Sequence, residues 1–329
     1  MKIMKKNIEP NKVITTFFFL ESFELRRSKN DKNYLILNLR DKTGKLKGFI
    51  WNDPIIALAT LRENSFVKIY GTTRIFNDLL VIDIEKIRIA EEQEIDIRDY
   101  FEIVPGGIDL WKSRLIDLIY LIRDVNCRKL LDAFLEDEHF LEDFTTCPGG
   151  ISIHHNYIGG LLEHTVNTMI NASTAADNNP RLLDKDLMLT GAFLHDIGKI
   201  KELSWKINTD YTTEGKLIGH ICLGLLLLEN RLLNLKDFPC ELALQLRHII
   251  ISHHGKLEYG SPVIPATPEA IVINLIEGMD SKINRLNNHI WNYNADIYWT
   301  QFDKILNTQI YLKKVTKQID VPDKNFNES

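Results

Sequence analysis

Residues 33–51, NYLILNLRDKTGKLKGFIW, alternate apolar side chains with mostly polar or aromatic ones on both sides of the turn sequence DKTG. A period of two residues places neighbouring side chains on opposite faces of a β-strand, and Asp and Gly favour tight turns. The stretch therefore predicts a β-hairpin with one apolar face that points into a core. That inner face comprises Leu35, Leu37, Leu39, Leu46, Gly48 and Ile50.

The outer face of the same hairpin interleaves aromatic rings with positive charges. It carries Tyr34, Asn38, Arg40, Lys45, Lys47, Phe49 and Trp51. Bases stack on such rings while phosphates pair with such charges, so the pattern predicts a surface for single-stranded RNA or DNA. The alternative is that Phe49 and Trp51 pack beneath a helix or a second domain, because aromatic side chains are often buried. Both interpretations remain open at this point.

The regions around the hairpin divide the chain into four parts. Short β-branched and aromatic segments, broken by SKNDKN, DKTG, WNDP and FNDL, predict an OB-fold β-barrel over 12–92, whose second and third strands form the usual oligonucleotide surface. A helical connector is expected over 93–150, an all-α domain over 151–290, and a helical C-terminal extension with a frayed tail over 291–329. The predicted fold class is therefore α+β multidomain. The expected helices span 108–124, 126–143, 153–175, 185–198, 218–233, 239–252 and 268–290.

Composition excludes several classes of protein. The chain has 329 residues, of which 44% are hydrophobic and 26% charged, and no apolar run approaches the roughly 20 residues of a membrane span. Glu21 ends a short apolar run near the start, and no small-residue cleavage site follows, so no signal peptide is expected. The four cysteines form no C-x-x-C pair, which indicates reduced thiols and a cytoplasmic location.

Charge is distributed unevenly along the chain. Residues 1–52 contain twelve basic and five acidic side chains, although the whole chain carries a net charge of −5. A basic lobe on an acidic chain is typical of a local site for a polyanion. A solvated surface without a ligand would give the same pattern, so charge alone does not choose between them.

Histidines are concentrated in the helical region, where eight of the ten lie within 154–254. Asp280 follows Val272 and Ile276 on an apolar helical stripe, and a buried carboxylate needs a partner. His164, His195 and Asp196 interrupt apolar stripes in the same way. Imidazole and carboxylate together suit manganese, iron, cobalt, nickel or zinc, so the pattern predicts a metal site. Each residue singly could instead be a hydrogen-bonded core residue.

Five motifs carry a resemblance to a known family. They are GGLLEHT (159–165), GAFLHDIGKI (191–200), EGKLIGH (214–220), ISHHGKLEYGSP (251–262) and IEGMDSKIN (276–284). In this order they resemble the HD-domain metal phosphohydrolases. Together with the barrel, HHNYIGGLLEHT (154–165) and HHGKLEYGSPVIPATPEA (253–270), they are similar to the YhaM-type 3′-5′ exoribonucleases.

The resemblance implies two divalent transition-metal ions, with manganese first and cobalt, iron or nickel as alternatives. The first ion would be bound by His164, His195, Asp196 and Asp280. The second would be bound by His220, His253 and His254, with Asp196 bridging both. Two such ions clamp the attacking and leaving oxygens of an in-line displacement at phosphorus, which predicts phosphodiester hydrolysis.

Further residues near these motifs are candidates for contacts with the substrate. Lys199, three residues after Asp196, is expected to face the site and neutralise a phosphate oxygen, unless it is only a lysine near a helix C-terminus. His154 and His155 are expected to contact phosphate or orient a ligand. Tyr259, in the loop 255–262, is expected to stack on a base.

The leading functional hypothesis is hydrolysis of single-stranded RNA, or DNA, from the 3′ end to nucleoside 5′-monophosphates, where polarity and RNA preference are implied by the resemblance. A second hypothesis is an HD-domain phosphodiesterase or nucleotidase acting on a small cyclic or mononucleotide, with the barrel as a regulatory module. A third is a nucleic-acid-binding module with a structural or degenerate metal site. The sequence is compatible with a homo-oligomer and does not fix the number of subunits.

Overall fold

The computed structural model describes residues 4–28, 30–96, 99–150, 157–205, 210–291 and 298–312. His154, His155 and the tail expected to fray lie outside the described residues. Within the described part of the chain, a β-barrel is followed by a helical region, which confirms the predicted fold class.

Five strands form the barrel. They are β1 (Val13–Arg27), β2 (Asn33–Asp41), β3 (Gly44–Ile50), β4 (Ser65–Phe76) and β5 (Leu79–Ile89). Their order is β1-β2-β3-β5-β4, and pairing of β1 with β4 closes the sheet. All neighbours are antiparallel except β3 and β5, which pair in parallel. This closed five-strand arrangement is an OB-fold, as the sequence predicted.

The hairpin that predicted the barrel has the expected faces. Leu37 lies opposite Gly48 and Leu39 opposite Leu46 across β2 and β3. The leucines and Ile50 on the inner face are buried in the barrel core. Period-two alternation therefore sorted the inner side chains of this hairpin correctly.

A short helix, α1 (Pro54–Thr60), follows β3 at a position where the sequence indicated only a turn. Pro54 lies in its first turn, which its fixed φ favours. Ala57 and Leu61 are buried in the barrel core. Burial of these two side chains stabilises a helix that is too short to form on its own.

Three helices form the connector: α2 (Ile108–Tyr120), α3 (Val125–Leu135) and α4 (Glu138–Thr146). The single helix expected over 126–143 is divided because the carboxylate of Asp137 accepts a hydrogen bond from the Phe140 N–H at 3.0 Å and begins a new helix. The connector contacts the barrel where Phe101 packs 5.3 Å from Phe19, measured between ring centroids.

The helical region contains α5 (Gly160–Asn178), α6 (Lys185–Leu194), α7 (Lys199–Glu202), α8 (Thr213–Ile218), α9 (His220–Leu232), α10 (Cys240–Ser252) and α11 (Pro268–Trp291). A two-stranded sheet, β6 (Leu203–Ser204) with β7 (Asp210–Tyr211), lies between α7 and α8. The helix expected over 185–198 ends at Leu194, and a turn at 195–198 separates it from α7. Buried apolar residues of α5 and α6 form the centre of one core that also includes connector residues.

The described part of the C-terminal extension, residues 298–312, is not helical, so the expectation of a helical extension is wrong here. Isolated bridges join Trp299 to Tyr311 and Asp303 to Thr308. Asp303 accepts hydrogen bonds from the N–H groups of Ile305 at 2.9 Å and Leu306 at 3.0 Å. An aspartate that bonds to the backbone two and three residues ahead favours a turn over a continuing helix.

Among the described residues, no helix combines the length and the apolar character that crossing a bilayer would require.

Candidate metal centre

Five separate elements bring the seven predicted metal ligands into one cluster. His164 lies on α5 and Asp280 on α11, while His195 and Asp196 occupy the turn after α6. The remaining three histidines lie at the start of α9 and directly after α10. They are His220, His253 and His254. Because α5, α6, α10 and α11 pack on one another, residues far apart in sequence meet in the interior.

The first group consists of His164, His195 and Asp196, whose candidate ligand atoms all lie within 4.8 Å of one another. The Nε2 atoms of His164 and His195 are 3.0 Å apart. Asp196 Oδ2 lies 3.4 Å from His164 Nε2 and 3.6 Å from His195 Nε2. All three residues are buried, so their polar atoms have no bulk water as a partner.

The second group consists of His220, His253 and His254, again with ligand atoms within 4.8 Å of one another. The Nε2 atoms of His220 and His254 are 3.2 Å apart. The other carboxylate oxygen of Asp196, Oδ1, lies 3.6 Å from His220 Nε2 and 3.5 Å from His253 Nε2. Asp196 thus faces both groups, one oxygen to each.

Hydrogen bonds at Nδ1 determine which ring nitrogen each histidine presents to the cluster. The Nδ1 atoms of His195, His253 and His254 lie 2.7 Å from the carbonyl oxygens of Ala192, Ile250 and Tyr259. A carbonyl only accepts, so Nδ1 carries a proton in each ring and Nε2 is the nitrogen that faces the cluster. Metal-ligating histidines are usually oriented in this way.

Carboxylates orient the two remaining histidines. His164 Nδ1 lies 2.7 Å from Asp280 Oδ2, and His220 Nδ1 lies 2.9 Å from Glu202 Oε1. Asp280 is therefore in the cluster, although its contact is with the far nitrogen of His164, so its role as a direct ligand stays a prediction. Glu202 was not identified from the sequence; its position three residues after Lys199 on the same helical face was the available signal.

The donor set fits divalent cations. Two Nε2 atoms lie 3.0 Å apart in the first group and 3.2 Å apart in the second, distances at which both nitrogens of a pair can coordinate one cation. Asp196 Oδ1 and His253 Nε2 are buried and have no hydrogen-bond partner among the described residues. Buried polar atoms without a partner are costly, whereas coordination of a metal would satisfy them.

The charges of the cluster favour metal binding as well. Burial holds the pKa of His195 well below its usual value, and burial together with the neighbouring His253 and His220 lowers the pKa of His254 to about 4. Both rings are therefore neutral ligands at pH 7. Burial would raise the pKa of Asp196, but the charge of Lys199 and the neighbouring imidazoles keep it well below its usual value, so this carboxylate is ionised.

His164 differs from the other rings. Burial lowers its pKa, but hydrogen bonds to and charges of Asp196 and Asp280 outweigh this effect and raise the pKa to about 9. A proton on His164 therefore satisfies the facing Nε2 lone pairs when no metal is bound, and a cation would compete with that proton.

Lys199 faces the cluster, as expected, although it lies on the short helix α7 and not on a continuation of α6. Its Nζ lies 2.7 Å from Asp196 Oδ2 and donates a hydrogen bond to the carbonyl oxygen of Gly149 at 2.8 Å. Burial lowers the pKa of Lys199, but Asp196 more than compensates and raises it above its usual value. The buried amine is therefore a fixed positive charge beside Asp196.

The outer face of the barrel carries a stack of aromatic rings. Tyr34 and Trp51 have ring centroids 4.7 Å apart at an interplanar angle of 22°, and Phe49 lies 5.6 Å from Trp51 at 10°. Phe49 is only 7% exposed, whereas Trp51 is 45% exposed. Phe49 is therefore packed, whereas Trp51 is exposed, and a role of Trp51 in binding a nucleic acid stays a prediction.

The positive charges of this face are arranged differently from the expected interleaved pattern. Arg40 and Lys45 both pair with Glu21, at 3.3 and 3.0 Å, and the Arg40 guanidinium lies 4.6 Å from the ring centroid of Phe101. Lys47 is exposed on the same strand as Lys45. Arg40 therefore packs at the junction of barrel and connector, away from the aromatic stack.

Two residues that the sequence did not identify complete the aromatic stack. Asp83 accepts a hydrogen bond from the Trp51 indole N–H at 2.8 Å and pairs with Arg74 at 2.5 Å. The Arg74 guanidinium lies 5.7 Å from the Phe49 ring centroid. Alternation along β4 was the available signal, because Arg74 is on the outer face, next to the inward Thr73.

Tyr259 lies on a 3-10 turn, Leu257–Tyr259, directly after the second group. Its side chain is 60% exposed, and its carbonyl oxygen is the one that orients His254. The ring is thus accessible and within six residues of two candidate ligands.

Comparison with known proteins identifies a family and a relative of this chain. The family described as HD domain matches residues 161–281. The 3′-5′ exoribonuclease YhaM of Bacillus subtilis (strain 168) is 30% identical over 279 residues, which cover 84% of this chain and 88% of YhaM.

Two solved structures each match about a quarter of this chain. A domain of replication protein A from Methanococcus maripaludis is 21% identical with a TM-score of 0.25, and covers 28% of this chain and 97% of that domain. The replication factor A related protein from Methanobacterium thermoautotrophicum is 14% identical with a TM-score of 0.25. The match covers 28% of this chain and 92% of that protein. Scores of this size carry no argument, so the OB assignment rests on strand order. The identity to YhaM extends over more than two thirds of both chains, and the chain belongs to the YhaM family of HD-domain proteins.

Proposed function

We propose that this protein is a metal-dependent 3′-5′ exoribonuclease that hydrolyses single-stranded RNA to nucleoside 5′-monophosphates. The observation that carries the proposal is the position of Asp196, a buried carboxylate that faces two separate groups of potential metal ligands. The relationship to YhaM, an exoribonuclease by name, supports the same activity. Single-stranded DNA is the second polymer to test.

We assign a role to each group of the centre. One cation would be held by His164, His195, Asp196 and Asp280, and another by Asp196, His220, His253 and His254, with manganese as the first candidate. Divalent cations in such a pair of sites supply Lewis acidity, which stabilises charge on phosphoryl oxygens and lowers the pKa of water. Hydrolysis adds the oxygen of water to phosphorus and breaks the bond to the 3′ oxygen of the preceding nucleotide.

Residues around the centre would bind and orient the substrate. Lys199 keeps its positive charge beside Asp196, where it would attract a phosphate oxygen. His154 and His155 are proposed to contact phosphate from the segment before α5. The exposed ring of Tyr259 is proposed to stack on a base near the second group.

The proposed division of labour follows the order of the chain. The barrel, residues 12–92, would bind the single strand, the connector 93–150 would fix the barrel to the catalytic part, and residues 151–290 would hydrolyse the 3′ end. We also propose a cytoplasmic location, which suits an RNA substrate and the four cysteines that are free in the structure.

The aromatic stack gives a prediction for RNA affinity. Replacing Trp51 by Ala removes the exposed ring and is expected to weaken binding of a single-stranded RNA about 10-fold or more, since one stacked base contributes roughly 1–3 kcal/mol. The salt dependence of binding should stay nearly unchanged. Lys47→Ala is expected to lower the slope of log affinity against log salt by about 0.7, because one phosphate contact is lost.

These affinities are measured by fluorescence anisotropy in a protein that also carries Asp196→Asn, so that the RNA stays intact. Trp299→Ala, which removes another half-exposed tryptophan outside the barrel, is the matched control and should bind like the parent. Unchanged affinity and unchanged salt slope in both barrel variants would contradict a role for this face.

Metal dependence tests the proposed activity directly. A 5′-end-labelled single-stranded RNA incubated with protein and manganese should shorten progressively from its 3′ end on a sequencing gel. Dialysis against a chelator should abolish shortening, and added manganese should restore it. The fold should persist after dialysis, because the large apolar core around α5 and α6 needs no metal.

Other outcomes would redirect the functional assignment. Unshortened RNA with folded, metal-loaded protein would favour a phosphodiesterase or nucleotidase acting on a small nucleotide. Unfolding upon metal removal would instead favour a structural site in a nucleic-acid-binding module.

A further inference from the structure

Glu202 contacts His220 in two ways through a single carboxylate oxygen. Oε1 lies 2.9 Å from Nδ1 of His220 and accepts a hydrogen bond from the His220 backbone N–H at 3.0 Å. Glu202 is only 9% exposed, so both contacts lie in a largely water-free environment. Charge-assisted hydrogen bonds of this kind are stronger than neutral ones.

The backbone contact satisfies the start of helix α9. The preceding residue, Gly219, has no side chain to cap the helix, and His220 is the first helical residue. The first N–H groups of a helix have no partner within it, and an anion there also interacts favourably with the helix dipole. Glu202 thus supplies from α7 the cap that α9 lacks in its own sequence.

Glu202 is itself held in place from a third element. The Thr212 N–H donates a hydrogen bond to the carbonyl oxygen of Glu202 at 2.8 Å, and Thr212 Oγ1 lies 3.2 Å from the same oxygen. Thr212 is the N-cap residue of α8. The backbone of Glu202 is therefore anchored by α8 while its side chain anchors α9.

The two groups of the centre share one pattern of hydrogen bonds at the Nδ1 atoms of their histidines. In each, one histidine donates Nδ1–H to a carboxylate: His164 to Asp280 in the first group and His220 to Glu202 in the second. The other three rings donate to backbone carbonyls. A carboxylate behind an imidazole fixes its tautomer and increases its basicity as a ligand.

We propose that Glu202 is a positioning residue that presents Nε2 of His220 to a cation in the second group and sets the affinity for that cation. Fixing Nδ1–H on Glu202 leaves the lone pair of Nε2 directed toward His254 Nε2 and Asp196 Oδ1. The negative charge of Glu202 also partly offsets the positive charge of a divalent cation bound among the three imidazole rings. The proposal rests on the two-metal function above and extends it to a residue outside the predicted ligand set.

The test is manganese titration of the full-length, metal-free protein by calorimetry. Glu202→Gln keeps an oxygen that can accept from the His220 N–H, so the cap of α9 survives, but the charge is removed. We expect one class of sites to weaken about 10–100-fold while the other keeps its affinity. Glu214→Gln, the same change at an exposed residue of α8, is the matched control and should give the isotherm of the parent.

RNA hydrolysis provides a second readout of the same variant. At limiting manganese, Glu202→Gln should have a lowered kcat with a nearly unchanged KM for RNA, and about 10–100-fold more manganese should restore kcat. A general structural defect would not be rescued by metal.

Three results would overturn the role of Glu202: an isotherm equal to that of Glu214→Gln, equal weakening of both classes of sites, or a kcat that excess manganese does not restore. A parent protein that binds a single manganese would contradict the two-metal function itself. That failure is distinguishable, because it is seen before any variant is compared.

Discussion

Asp196→Asn is expected to lower the rate of RNA hydrolysis by about three orders of magnitude or more, since it weakens both metal groups at once. The two oxygens of Asp196 face different groups, and an amide offers only one oxygen and no charge. Its nitrogen would carry hydrogens toward the Nε2 lone pairs of one group. Single-turnover rates on a labelled RNA measure the loss.

Manganese titration of the same variant should show weaker binding at both classes of sites. Asp177→Asn provides the matched control, because Asp177 lies on α5 and pairs with Lys185 at the surface, an interaction that contributes little. Undiminished hydrolysis in Asp196→Asn would disprove the shared-carboxylate arrangement. Lost hydrolysis with unchanged metal binding would place Asp196 in another role.

Gly198→Ala is expected to be the most disruptive single-methyl change near the centre. A Cβ at Gly198 would lie 1.9 Å from the carbonyl oxygen of His220 and 2.5 Å from the backbone nitrogen of Gly224. Both are backbone atoms of α9, so the whole helix must move. Overpacking of this kind typically costs about 1–3 kcal/mol and occasionally more, and the shift would also displace His220 from its group.

Chemical denaturation and manganese titration measure the two effects of Gly198→Ala. The backbone of Gly198 is helical, with φ at −65°, so alanine has no conformational difficulty there and the clash alone is tested. Gly278→Ala on α11 is the matched control, because its Cβ would meet no atom within 4 Å. Alanine should stabilise that helix by up to about 1 kcal/mol. Equal stability of the two variants would contradict the close packing of Gly198.

Much of the fold could be predicted because local patterns determine it. Alternation of leucines in β2 placed the inner face of the barrel correctly, since a strand with one buried face must repeat every two residues. Phe49 and Trp51 share the outer face, and periodicity cannot separate them; the packing of Phe49 depends on neighbours from β4. The non-helical segment 298–312 was missed because its turn depends on the bonds of Asp303.

The centre was predictable to the extent that its residues interrupt apolar stripes. His164 and Asp280 occupy core positions on their helices, which a purely structural helix would fill with apolar residues. Glu202 and Asp83 lacked such a signal. Each contributes to a site only by contacting a residue distant in sequence, which is His220 for Glu202 and Trp51 for Asp83. Glu202 reaches His220, 18 positions away, only because α7 lies against the start of α9.

The five elements that meet at the centre have a consequence for how the helical region opens. His164 and Asp280, 116 positions apart, are joined through the cluster, so the intervening chain is closed into loops at one point. Closing such loops is entropically unfavourable. An ion that binds only when the five elements are together favours this closed state over states in which they have separated, and the effect grows with the concentration of free ion. We therefore expect amide protons of α5, α9, α10 and α11 to exchange as one cooperative unit when an ion is bound, and to exchange more independently when it is removed.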